Sequence, residues 1–253
     1  MVHGLIDCEG LEFNYRMEDV ENLNHLAMEG RIEMVKVSYH AFLYLAPVYR
    51  LLDSGSALGS GNGPILISKK EYSIGDLDDK TIAIPGEYTT AHLLLKLLAP
   101  SIRRKKILLF SEIEASILKD ESDAGVIIHE GRFTYEKKGL KKIVDLGEWY
   151  HSLTHNPLPL GGIIVRKDLG AETVAKLNRI MRRSVAYAME NPGAVMEFVR
   201  CNAQEMEEEV MKKHIDLYVN QYTLDLGPTG RDAIARMFEL ALDRGLIHGQ
   251  GEK

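Results

Sequence analysis

The sequence predicts an α/β fold with mixed, mostly parallel sheets flanked by helices and closed by a helical C-terminal region. Three observations predict it. From residue 11 to about residue 166, short β-type runs alternate with helical stretches, the pattern of strands joined by helical crossovers. After Lys167 apolar residues recur at helical spacing almost without interruption. A chain of 253 residues with 45% hydrophobic content can bury a substantial core, as one large domain or two small lobes.

The strand candidates, in order, cover residues 11–17, 34–37, 48–53, 64–68, 81–84, 106–110, 124–128, 142–146 and 161–166. Between them residues 20–28, 91–98 and 112–119 carry helical character, the first with Val20, Leu23, Leu26 and Ala27 along one face. Beyond Lys167, Val174, Leu177, Ile180, Met181, Val185 and Ala188 repeat at helical spacing until the breaker Asn191-Pro192-Gly193. A second helix then runs through Phe198, a third starts near Glu205, and a last one spans Arg231 to about Leu246. In the third, glutamates open the helix and Lys212, Lys213 and His214 close it, which complements the macrodipole and reads as a solvated face.

Ser54 to Pro64 (Ser-Gly-Ser-Ala-Leu-Gly-Ser-Gly-Asn-Gly-Pro) is the most glycine-dense part of the chain. It reads as a crossover between lobes or a surface loop, because glycine supplies backbone angles that an element interior does not need. No Gly-Lys-Ser/Thr follows, so it is not a phosphate-binding P-loop.

Charge excludes some function classes. The net charge of -6 argues against a nucleic-acid binder, whose affinity rests on clustered Lys and Arg. The one basic cluster, Arg103 to Lys106, precedes an apolar run and reads as a solvated turn. A small carboxylated molecule is the expected partner, with no nucleic acid and no membrane; the patterning permits a homodimer. Cys8 and Cys201 are far apart and show no metal or disulfide spacing, which fits a reducing compartment. The first residues lack a basic and apolar leader and no apolar run reaches membrane-span length, so a cytoplasmic location is expected.

In open α/β sheets ligands bind beyond the carboxyl ends of strands, and three such positions carry chemistry. Ser38 follows Val35-Lys36-Val37 where a helix can begin. Thr89, Thr90 and Ala91 follow the strand at 81–84 and open a leucine-rich helix, so free N–H groups and two hydroxyls suit an anion; an ordinary N-cap explains the threonines equally well. His129 follows the apolar run at 124–128, where an imidazole can exchange a proton near neutral pH, though capping or pairing with Glu130 explains it as well. His151 and His155 are four apart, but Asn156-Pro157 breaks any helix there, so no metal is expected. Trp149 and Tyr150 suit either a pocket wall or the core.

Four segments in order carry a resemblance over most of the chain: residues 54–64; Pro85 to Ala91 with its Thr-Thr-Ala; His129-Glu130-Gly131-Arg132-Phe133; and Leu146-Gly147-Glu148-Trp149 through Pro157-Leu158-Pro159-Leu160-Gly161. Together they resemble the 1,4-dihydroxy-6-naphthoate synthases of the futalosine route to menaquinone. The resemblance implies a two-lobed, periplasmic-binding-protein type II-like fold, with residues 1–68 plus 166–253 as lobe 1, residues 69–165 as lobe 2 and the active site in the cleft between. It implies a carbon–carbon lyase acting on cyclic dehypoxanthine futalosine, with His129 as general base, Thr90 and Ala91 holding a substrate carboxylate or hydroxyl, and Ser38 and Ser56 on the opposite wall. It implies no metal or redox cofactor. A non-catalytic solute-binding protein for a carboxylated molecule and the related chorismate dehydratase are the alternatives.

Members of that family begin with a strand and a Ser-Pro-Cys-Pro-Asn-Asp-type loop ahead of a helix ending near Val-His-Gly, whereas this sequence starts at Met1-Val2-His3-Gly4. Either the true start lies upstream, in which case the preceding DNA encodes such a strand and loop in frame, or the chain is a shortened form.

Overall fold

The computed structural model describes residues 1–202 and 208–247. The elements in chain order are α1 (Val20–Met28), β1 (Met34–Ser38), α2 (Tyr39–Leu45), β2 (Tyr49–Leu51), β3 (Ala57–Gly59), β4 (Ile65–Ser68), β5 (Ile82–Ile84), α3 (Thr90–Leu98), β6 (Lys105–Ile107), α4 (Ile113–Leu118), β7 (Ala124–Ile127), β8 (Lys141–Asp145), α5 (Leu146–Thr154), β9 (Leu158–Arg166), α6 (Ala171–Glu190), α7 (Pro192–Asn202), α8 (Glu208–Tyr218), α9 (Gln221–Leu224) and α10 (Gly227–Asp243). None of these helices is long and apolar enough to cross a membrane.

The strands form two sheets. In the first, β1, β2 and β3 each pair antiparallel with β9. The second has the order β6-β5-β7-β4-β8. The expectation of mostly parallel sheets is corrected here. Among the described residues only β5, β6 and β7, which are joined by the helical crossovers α3 and α4, run parallel, while β4 is antiparallel to β7 and β8. The strands that carry the chain into and out of the second sheet, β4 and β9, run against their neighbours. Sheet membership also changes hands elsewhere than at residues 68 and 166, because β4 pairs within the second sheet and β9 within the first.

Three element boundaries differ for identifiable reasons. Residues 11–17 alternate like a strand but find no ladder partner among the described residues; Leu11 and Phe13 instead pack on the cluster of Leu52, Val165, Val174, Leu177 and Met181. β9 begins three residues earlier than expected because Pro159 is tolerated within it. α10 begins at Gly227 rather than Arg231, since Pro228 in a first turn removes no needed N–H. The start of the third C-terminal helix near Glu205 lies outside the described residues. α5 escaped the sequence reading, although Asp145 caps it, accepting from the N–H of Gly147 at 2.8 Å and of Glu148 at 3.1 Å.

One core cluster draws on both sheets: Leu58 and Leu158 of the first meet Leu66, Ile82, Ile84 and Val126 of the second, with α3, α5 and α10 packed around them. α3 is buried nearly all round. The glycine-dense segment carries the chain from the first sheet to the second through β3, a short strand hidden from the sequence reading by its glycines. Gly55 there has a φ of +90°, and a Cβ at that position would lie 2.5 Å from Ile163.

Candidate active site

β7 sits between β5 and β4, and its four residues are all buried. The chain leaves it through Ile128 into a 3-10 turn, His129–Phe133, whose first residue has a φ of +57°. A non-glycine residue in that region costs on the order of 1–3 kcal/mol and recurs where function constrains the backbone. The His129 ring is half-buried, with Phe110 edge-on at 5.0 Å and His214 of α8 perpendicular at 5.9 Å between centroids. Desolvation, with smaller contributions from His214 and Lys36, lowers its pKa to about 4. At neutral pH the side chain is therefore a neutral imidazole with a lone pair to offer.

Lys36 reaches that neighbourhood from the first sheet. Val35 and Val37 bury their side chains on one face of β1, so Lys36 points the opposite way and keeps access to solvent. Desolvation nonetheless holds its ammonium below the usual lysine pKa. Ser38 is on the same strand face, ~7 Å further along. Its backbone N–H donates to Asn24 Oδ1 at 3.0 Å, and its hydroxyl accepts from Asn24 Nδ2 at 3.3 Å.

A second group of side chains surrounds the start of α3. Thr89 is its N-cap, accepting from the His92 N–H at 3.3 Å while donating to the Gly86 carbonyl at 2.9 Å. The Thr90 hydroxyl donates to Leu160 of β9 at 2.7 Å, and Ala91 is buried. The threonine hydroxyls are thus engaged within the protein, and what remains for an anion is the pair of backbone N–H groups of Thr90 and Ala91, which have no intrahelical acceptor. The carboxylate of Glu21, from α1, lies against the turn before this helix. It accepts from the Tyr88 N–H and from Asn24 Nδ2 at 3.0 Å, so a chain of contacts runs from Ser38 through Asn24 and Glu21 to the α3 tip. His40, from α2, adds a further link, its Nδ1 donating to the Thr89 carbonyl at 3.2 Å.

Ser56 stands apart, being fully buried with its hydroxyl 2.8 Å from that of Tyr39. The structure therefore brings His129 near Lys36 and His214, and links Ser38 through Asn24 and Glu21 to the turn before Thr89, Thr90 and Ala91; Lys36 and Ser38 share one face of β1. Arg132, one turn beyond His129, donates to the Gly63 carbonyl at 2.5 Å and to Asp145 at 2.9 Å, pinning the His129 turn to the glycine-rich crossover. Sequence reasoning missed Glu21, Asn24, Lys36, His214 and Tyr218. The available signals were an uncompensated lysine inside an apolar strand and the i, i+4 pair His214/Tyr218.

Trp149 packs against the main core and Tyr150 is buried within it. His155 is the left-handed C-cap of α5, and His151 Nδ1 lies 3.3 Å from the Asn156 carbonyl. Among the described residues no group of three or more His, Cys, Asp or Glu side chains is placed to hold a metal ion.

Residues 1–243 match the family model described as menaquinone biosynthesis. Over 246 residues the chain is 40% identical to a 1,4-dihydroxy-6-naphthoate synthase of Thermus thermophilus, covering 97% of this chain and 89% of that one. A crystal structure of a protein from Archaeoglobus fulgidus superposes with a TM-score of 0.91 at 38% identity, covering 97% and 91% of the two chains. A Candida albicans protein described as having the generic periplasmic-binding-protein fold superposes with a TM-score of 0.66 at 13% identity, covering 90% and 78%, a likeness of fold alone.

Proposed function

Because the chain belongs to the menaquinone-biosynthesis family, we infer that it is a carbon–carbon lyase of the 1,4-dihydroxy-6-naphthoate synthase type, which converts cyclic dehypoxanthine futalosine to 1,4-dihydroxy-6-naphthoate. The observation that carries the chemistry is the placement of His129: a neutral imidazole at the end of a buried strand, facing a lysine from the other sheet. In this reading the first lobe is built on β1, β2, β3 and β9 and the second on β4 to β8, with the substrate between them.

His129 takes a proton from the substrate; the electron pair left behind becomes a new π bond as the neighbouring carbon–carbon bond breaks, and the electrons of that bond pass to the other fragment, so that the aromatic naphthoate and a separate co-product leave. A base with a pKa near 4 is fully deprotonated at neutral pH but weak. A bound carboxylate adds a negative charge nearby and raises that pKa toward the working pH, so the substrate itself strengthens the base. Lys36 supplies the counter-charge for that carboxylate, and the N–H groups of Thr90 and Ala91 supply a second anchor for a carboxylate or hydroxyl. Ser38 lines the wall formed by β1. The free thiols of Cys8 and Cys201 support a reducing, cytoplasmic setting.

The test is turnover of the cyclic substrate by wild-type protein and by His129→Asn. The variant is expected to bind the substrate while losing turnover by about 10²-fold or more. Unchanged kinetics in the variant would remove His129 from the mechanism. Binding without any turnover by the wild type would leave the solute-binding alternative standing instead.

A further inference from the structure

α8 carries Val210, His214 and Tyr218 at i, i+4 and i+8, one stripe of a helix whose Lys212, Lys213 and Asp216 face solvent. His214, which the sequence places on a solvated face at the close of the helix, lies in mid-helix and points inward. Lys213 on the outer face pairs with Glu209 at 2.8 Å. The His214 ring meets His129 at 5.9 Å with an interplanar angle of 89°, and the Tyr218 ring meets His214 at 5.0 Å. Tyr218 in turn faces Arg132, which bears on its hydroxyl. The two faces are in register. His129 and Arg132, three apart on the turn, meet His214 and Tyr218, four apart on one helix face.

α8 approaches the second sheet from an anchorage on the first. Just past its end, Asn220 Nδ2 donates to the Leu58 carbonyl of β3 at 2.8 Å. The helix therefore spans from β3 to the turn that holds His129.

We propose that His214 is the positioning residue of His129: carried on a helix fastened to the opposite sheet, its ring closes over the imidazole, fixes its orientation and keeps water from it. This inference rests on the reading of His129 as the base. An imidazole that begins a strained turn has little local support of its own, and a perpendicular aromatic contact restricts its rotation without competing for its lone pair. Among the described residues, the charged and titratable groups around the pair are Lys36 from β1, Tyr218 from α8, and Arg132 of the same turn, which is itself paired with Asp145 of β8 at 2.9 Å. Lys36 and His214 oppose protonation of His129, and so does the burial that the helix provides.

The experiment compares pH profiles of kcat/KM for wild type, His214→Ala and His214→Phe, with His129→Asn assayed alongside. Opening the site with alanine is expected to lower kcat about tenfold at pH 6 with a smaller change in KM, and to move the acid limb up by about one pH unit or more toward the free-histidine value. Phenylalanine, which keeps the ring, is expected to retain activity within about threefold and an acid limb within about half a unit of wild type. If the alanine variant does not fold, His214→Ser, which also opens the site, takes its place with the same expectation. An unchanged acid limb in the opened variant, or equal damage by alanine and phenylalanine, overturns the proposal. If His129→Asn is inactive while either result holds, only the role of His214 falls. If His129→Asn turns over normally, the catalytic reading itself falls.

Discussion

The carboxylate of Glu21 accepts the backbone N–H of Tyr88 through both oxygens, at 3.0 and 3.2 Å, and so ties α1 to the turn that leads into α3. The approach is possible because residue 86 is glycine: a Cβ there would lie 2.3 Å from Glu21 Cδ and 2.5 Å from its Oε2. The same carboxylate accepts from Asn24, which holds Ser38, so Ser38 and the tip of α3 share a single buried support.

That contact predicts a coupled pair of variants. Glu21→Ala strands the Tyr88 N–H and the Asn24 amide, at a cost of about 1–3 kcal/mol. Gly86→Ala forces a clash with a side chain that cannot swing away without losing those same bonds, at a similar cost. In the double variant the new methyl enters space that Glu21 has left, so the two costs are expected to fall short of adding by about 1 kcal/mol or more. Thermal or denaturant unfolding of the four proteins checks this, and strict additivity would count against the contact.

Acid stability follows from two histidines outside the chemistry. His40 and His92 are buried, with ring centroids 6.3 Å apart. Each Nδ1 faces a carbonyl oxygen, of Thr89 and Glu87 respectively, and a carbonyl can only accept, so the proton sits on Nδ1 and the lone pair on Nε2. Neither Nε2 has a hydrogen-bond partner among the described residues. Desolvation above all lowers their pKa values to about 3 and about 4, from 6.5. Between those limits the unfolded chain binds more protons than the folded one. Stability is therefore whole above pH 6.5 and falls as the pH drops toward 4, each histidine contributing a slope of up to about 1.4 kcal/mol per pH unit. Replacing both by glutamine is expected to flatten the dependence of Tm on pH across that window; identical slopes in variant and wild type would refute it.

Lys36 gives the third prediction. Lys36→Met keeps the apolar stem and removes the ammonium, so KM for the carboxylated substrate is expected to rise about tenfold. Loss of a like charge beside His129 is also expected to move the acid limb of kcat/KM upward. A KM equal to that of the wild type would mean that the substrate carboxylate is bound elsewhere.

Much of this molecule was legible in the residues themselves. Periodicity located β1, β4, β5, β7 and β8 and helices α1, α3, α4 and α6 to within a few residues, because each buries a face whose spacing local geometry imposes. Position after a strand singled out Ser38, Thr89, Thr90 and His129 for the same local reason. Tertiary structure decided the rest. Strand direction depended on which sheet each strand joined, so β4 and β9 turned out antiparallel. Residues 11–17 had a strand's pattern but no partner edge. Whether a threonine hydroxyl is free or already bonded to Leu160, whether Lys36 faces only bulk water or lies near His129, and whether His214 faces solvent or the His129 ring are questions of contact between residues remote in sequence. A one-dimensional pattern reports the preferences of a side chain and its near neighbours; it holds no record of what arrives from across the fold.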